Sequence, residues 1–123
     1  MKKLFKSFVN SFRGLLHAFV QEQNFTIEIF CTIAVIAFSF VFNISTNEWF
    51  VVIINIGIVL MAELFNTAIE NLCNMVHKET HPIIKIVKDV SAAAVVITAM
   101  CAFICAYIIF IPHFSSLLKI FLS

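Results

Sequence analysis

Between Val90 and Ile111 the chain contains no Asp, Glu, Lys, Arg, Asn, Gln or His. As a helix rising about 1.5 Å per residue, such a run is long enough to cross the roughly 30 Å hydrocarbon core of a bilayer. Two further runs precede it. One extends from about Phe25 to Phe42, broken only by Thr26, Glu28, Thr32 and Ser39, and the other is largely apolar from Trp49 to Ala62. Whole-chain composition agrees, with 62% hydrophobic residues, fifteen of them Phe, and 12% charged over 123 residues. A soluble domain of this length buries only about two-thirds of its unfolded surface, so this much apolar side chain would leave it aggregating in water. The bilayer is the expected solvent.

The N-terminal stretch follows a different pattern. Leu4, Phe5, Phe8, Val9, Phe12, Leu15, Leu16, Phe19 and Val20 recur at the i, i+3, i+4 spacing of one helical stripe, while Lys2, Lys3, Lys6, Asn10, Arg13 and His17 occupy the other face. No uninterrupted apolar core exists here, which excludes a signal peptide or a span and predicts a helix lying in the headgroup region. The expected organisation is an amphipathic surface helix over 1–23, a three-span unit over 24–112 and a short tail over 113–123.

The connections read as breaks with identifiable causes. Asn43 to Asn47 form a polar turn whose Asn and Ser side chains suit a helix N-cap, so the second span is expected to start near Glu48. His77 to Pro82 end it, because Pro82 disfavours a helical His81. The third helix runs from Ile83 and is expected to stop at Pro112. Trp49 and Tyr107 suit the outer headgroup belt. Seven of the eight Lys and Arg residues lie in the N-terminal helix or around the second connection. By the positive-inside rule those two regions are cytoplasmic and the C-terminus lies outside.

Net charge is only +1, so no general attraction to nucleic acid follows, and local placement carries the information. The cysteines, Cys31, Cys73, Cys101 and Cys105, sit in apolar stretches without CxxC or zinc-like spacing and read as small buried hydrophobes. Ionisable groups near the spans need a reason, since each costs about 2.5–3.5 kcal/mol at the centre of a spanning helix. Glu63 and Glu70 stand two turns apart with Asn66 and Thr67 between them, a polar row about 10 Å long on one face. Glu22, at the end of the surface helix, and Lys88 with Asp89, entering the third span, fall at the same membrane level.

This set suits phosphoryl transfer. Magnesium-nucleotide takes one or two protein carboxylates beside phosphate oxygens and water, a demand that Glu22 and Glu70 could meet. A hydroxyl attacking the γ-phosphorus needs a base, and Glu63 lies deeper, where a lipid headgroup arrives. Lys88 could neutralise the transferring group, and Lys3 or Arg13 could add to a phosphate-attracting surface. Two glycines in the whole chain leave no P-loop or GxGxxG loop, so nucleotide must be held by side chains. His81 stands at the level of the row, whereas His17, His77 and His113 read as interfacial or solvated. The plainer alternative is interhelical glue, or pairing of the row with Lys85 or Lys88, in a non-enzymatic channel or assembly protein. A lipid phosphatase ranks last, without the paired His and Arg motifs of such enzymes.

From Ala62 to Val95 the sequence AELFNTAIENLCNMVHKETHPIIKIVKDVSAAAV, with SFRGL and the Glu22/Glu28 pair before it, resembles the prokaryotic diacylglycerol kinase family, which includes undecaprenol kinases. The resemblance implies an all-α membrane protein, a homotrimeric helical bundle of three-span subunits with shared active sites in the bacterial inner membrane. It further implies ATP with Mg2+ as donor and diacylglycerol or undecaprenol as acceptor. Carried over by motif, Glu63 is the implied base and Glu22 and Glu70 the metal-linked carboxylates. Asn66, Glu79, His81, Lys88 and Asp89 line the implied nucleotide site, with Asn10 and Lys3 as further candidates. Departures occur at Asn10, where an aromatic is common, and at Ala92, where a serine can stand.

Overall fold

The computed structural model describes residues 1–123 as four helices without a strand: α1 (Lys2–Gln21), α2 (Gln23–Val41), α3 (Thr46–Val76) and α4 (Pro82–Leu122). The last three are long and apolar enough to cross a membrane. Only 12 of 123 residues are buried within the chain. Most apolar side chains therefore face outward, an arrangement stable only where lipid or other protein takes the place of water.

Helix α1 presents Leu4, Phe5, Phe8, Phe12 and Leu16 as exposed residues, and Ala18 is its one buried position. A single extended residue, Glu22, separates α1 from α2. The elbow is held by the Thr26 hydroxyl, which reaches the carbonyls of Phe19 (2.7 Å) and Glu22 (3.2 Å), and by Phe25, fully buried beneath it. Those contacts satisfy backbone acceptors that a helix end otherwise leaves open.

The α2–α3 turn closes tightly. Asn43 adopts φ 51°, a left-handed conformation that Asn tolerates, and Ile44 donates its N–H back to Ser39. Ser45 then caps α3 as the Asn/Ser-rich turn predicted. Its hydroxyl accepts from Glu48 N–H at 3.2 Å while Glu48 Oε1 accepts from Ser45 N–H at 2.9 Å, a reciprocal box that starts the helix two residues before Glu48. Ile44, Val52 and Ile109 are buried together under Val35, Phe42, Trp49, Ile56 and Phe110, so the apolar core sits at this end of the bundle.

At the opposite end the chain breaks as expected over residues 77–81, with His81 Nδ1 accepting from Ile83 N–H and Pro82 opening α4. The expected stop at Pro112 does not occur. Helix α4 continues through Pro112 to Leu122, and its 41 residues span about 60 Å, twice a hydrocarbon core. Proline removes one backbone hydrogen bond, but ending the helix would free several more acceptors, and near a bilayer continuation costs less. Ser116 donates to the Pro112 carbonyl (3.0 Å), and His113 ties the following turn to Glu48 (3.3 Å) while packing against Phe42.

Candidate active site

The polar row lies where α3 packs on α4. Glu63, Asn66 and Thr67 are buried, at 6%, 9% and 7% exposure, and Glu70 is half-buried one turn beyond. The i, i+3, i+4, i+7 spacing brings all four to one face, as anticipated. Asn66 Nδ2 donates to Glu70 Oε1 at 3.4 Å, and its Oδ1 accepts from Ser91 Oγ of α4 at 2.7 Å.

Glu28 of α2 lines one space with Val59, a turn before Glu63, and Ala18, a turn before Glu22, lines another with Thr67, so the α1–α2 elbow and the first turns of α2 carry two more acids, Glu22 and Glu28, toward the α3 row of Glu63 and Glu70. None of the four has a Lys, Arg or His partner, because the two ion pairs of the chain are Lys85 with Asp89 (2.7 Å) and His113 with Glu48. Carboxylates left without a counter-charge suit a ligand that brings its own positive charge.

Lys88 is held differently from either expectation. Its Nζ donates to Asn74 Oδ1 at 2.6 Å, one turn past Glu70 on α3, and makes no ion pair with the row. Asp89 is engaged by Lys85 on the exposed side of α4. Pairing of the row with Lys85 or Lys88, the plainer alternative, is therefore absent. Two cross-helix bonds, Ser91–Asn66 below and Lys88–Asn74 above, bracket Glu70 and hold the facing turns of α3 and α4 at one separation.

Other expected residues stand farther out. Glu79 and His81 lie in the connection, where Glu79 offers its carbonyl to His77 Nδ1 (2.8 Å) and the His77 and His81 rings pack edge to face. His81 Nδ1 is already committed to capping α4, so its Nε2 is the atom left for a ligand. Asn10, Lys3 and Arg13 are exposed on α1 and make no hydrogen bond or ion pair with the row. Sequence reasoning missed the tie made by Ser91 and assigned no site role to Asn74 or Glu28. Asn74 was discernible as the next i+4 step after Glu70, and Ser91 as a hydroxyl one turn beyond Lys88.

No three His, Cys, Asp or Glu side chains converge as an all-protein metal cage. Magnesium carried on nucleotide needs no such cage, only one or two carboxylates, because phosphate and water complete its shell. Glu70 and Glu22 have the right chemistry for it. Beside the row, a cavity of about 490 Å³ opens between α1 and α3, lined by Ser11, His17, Leu64, Thr67 and Asn71. A second space of about 300 Å³ starts at Glu28 and runs between α2, α3 and α4 past Val35, Ile56 and Phe103 to Phe110.

Three long apolar helices carrying an uncompensated acidic row at one end define a membrane protein with a polar site near the bilayer surface. The prokaryotic diacylglycerol kinase family matches residues 9–110, most of the chain, and the chain belongs to that family. An undecaprenol kinase of Bacillus subtilis (strain 168) is 34% identical over 112 residues, covering 91% of each chain. A diacylglycerol kinase of Synechocystis sp. is 31% identical over 116 residues, 94% of this chain and 66% of that one. A diacylglycerol kinase of Pseudomonas aeruginosa is 31% identical over 94 residues, 76% of each. A channel or scaffold, open on residue spacing alone, is not favoured.

Proposed function

We infer that this chain is a lipid kinase, a phosphotransferase that moves the γ-phosphoryl group of ATP to the hydroxyl of a membrane lipid. The observation that carries the site is the row of Glu63, Asn66 and Glu70, buried against α4 and left without a cationic partner. Glu63 is the deepest of these acids and accepts the proton of the lipid hydroxyl as that oxygen attacks phosphorus. Glu70 and Glu22 would hold the magnesium of the nucleotide, which would supply charge neutralisation on the phosphates. Lys88 adds a positive charge from α4, and Asn66, Asp89, Glu79 and His81 complete the nucleotide side.

The reading extends to orientation and assembly. Clustered Lys and Arg in α1 and around residues 78–88 support a reading in which the N-terminus and the site face the cytoplasm at the bacterial inner membrane, with the C-terminus outside. The working unit is a homotrimer with shared sites. Its support is the little that one chain buries of itself, and the exposure of Asn10 and Lys3 on α1. The boundary expected at residue 112 is no break in the backbone, since α4 runs on past it.

The acceptor is undecaprenol or diacylglycerol, and the apolar space beginning at Glu28 gives either a path for a chain beside the row. The test is ATP-dependent labelling of each lipid by purified protein, alone and as Glu63→Gln. Product from one or both lipids, lost in the variant, is expected. No product from either lipid would remove the reading, and full activity of the variant would remove Glu63 as its base.

A further inference from the structure

Serines inside helices ordinarily turn their hydroxyls back to the carbonyl one turn earlier. Ser11, Ser39 and Ser116 do so here, donating to Ser7, Val35 and Pro112 at 2.8–3.0 Å. Ser91 does not. Its hydroxyl leaves α4 and donates to Asn66 Oδ1 on α3 at 2.7 Å, a bond buried from both sides.

The direction of that bond follows from its neighbours. As a carboxylate Glu70 only accepts, so the end of the Asn66 carboxamide facing it must be Nδ2. Oδ1 is then turned to Ser91, which must donate. The Ser91 bond, at 2.7 Å, ties the amide to α4, and Nδ2 is thereby turned toward the Glu70 carboxylate, 3.4 Å away at the outer limit of a hydrogen bond. Ser91 also stands one turn from Lys88, whose own bond to Asn74 closes the other side of Glu70.

We propose that Ser91 is a positioning residue for phosphoryl transfer, holding the Asn66 carboxamide so that its Nδ2 steadies the Glu70 carboxylate for magnesium-nucleotide. The proposal rests on the site reading above, in which Asn66 and Glu70 serve the nucleotide. Ser91 touches neither substrate. Its effect belongs on nucleotide and metal binding rather than on the lipid, because the relay ends at Glu70 and Glu63 lies outside it.

The experiment compares Ser91→Ala, Ser91→Thr and Asn66→Ala with the double variant, using full-length protein and either lipid, at saturating and limiting magnesium. Loss of a buried donor in S91A is expected to raise KM for magnesium-ATP by about tenfold, more so at limiting magnesium, with the lipid KM unchanged. S91T keeps the hydroxyl and is expected within about twofold of the parent. In the N66A background S91A should add nothing, as two residues of one relay require. A mere helix tie would lower the melting temperature without that pattern. Should alanine leave the chain unfolded, Ser91→Cys, similar in volume with a weak donor, carries the same comparison.

Unchanged nucleotide KM in S91A, an undiminished S91A effect on N66A, or a threonine variant as impaired as alanine would overturn the proposal. Full activity of N66A would overturn the site reading along with it. Impaired N66A beside an unaffected S91A would overturn the positioning role alone.

Discussion

The two ends of the α3–α4 pair are built on opposite terms. At the turn end the charged and capping groups have close partners: Ser45 and Glu48 cap each other, His113 meets Glu48, and Ile44, Val52 and Ile109 pack together. At the other end Glu22, Glu28, Glu63 and Glu70 have no cationic partner, and Lys85 and Lys88 are engaged elsewhere. One end closes the fold, and the other keeps charge available at some cost to it. Unpaired acids near a bilayer are destabilising, so they persist where a ligand requires them.

The sharpest way to break this contrast is Glu63→Gln. Removing the base should lower kcat about a thousandfold, while the melting temperature in detergent holds or rises, because a buried unpaired carboxylate becomes a neutral amide. Labelling of lipid by radioactive ATP and a thermal melt on the same preparation give both readings. A variant that lost activity and stability together would place Glu63 in the framework instead.

The reverse pattern is expected of Ile109→Ala at the closed end. Lipid offers no hydrophobic drive, so the loss is mainly packing around the cavity and comes to about 2 kcal/mol. The thermal melt should shift downward with kcat unchanged below the transition. A fall in kcat at temperatures where the variant is folded would show that the closed end reaches into the chemistry.

Much of this contrast was legible in the residues. The spans follow from apolar length, the cap from Asn43 to Asn47, and the row from the two-turn spacing of Glu63 and Glu70, since each is decided within one helix or turn. What escaped depends on two elements at once. Ser91 meets Asn66 only because the turn at 77–81 fixes how far α4 slides along α3, and no local propensity encodes that register. Pro112 misled for a related reason. Its stop signal is a property of helices in water, and it was overridden by the surroundings of α4 and by the hold of Glu48 and Phe42 on His113.

Ser45→Ala tests the cap alone. The lost side-chain acceptor should cost about 1 kcal/mol, leaving the Glu48 backbone N–H without its capping oxygen while the Glu48 carboxylate keeps the N–H of residue 45. Hydrogen exchange at the first turn of α3 should quicken while lipid phosphorylation is unaltered. Protection equal to that of the parent would mean that packing of Val52 and Ile44 holds the turn without the box.

The smallest effect belongs to the Glu48–His113 contact. At 3.3 Å, with both side chains near 30% exposure, it is a partly solvated pair that crosses from α3 to the stretch of α4 beyond Pro112. Pairs of this kind are worth about 1 kcal/mol or less. His113→Gln keeps a hydrogen-bond donor, so the melt should shift only slightly. A larger loss, with increased exchange over residues 113–122, would mean that the helix beyond Pro112 depends on this contact. The closed end would then rest on one polar tie as well as on its apolar core.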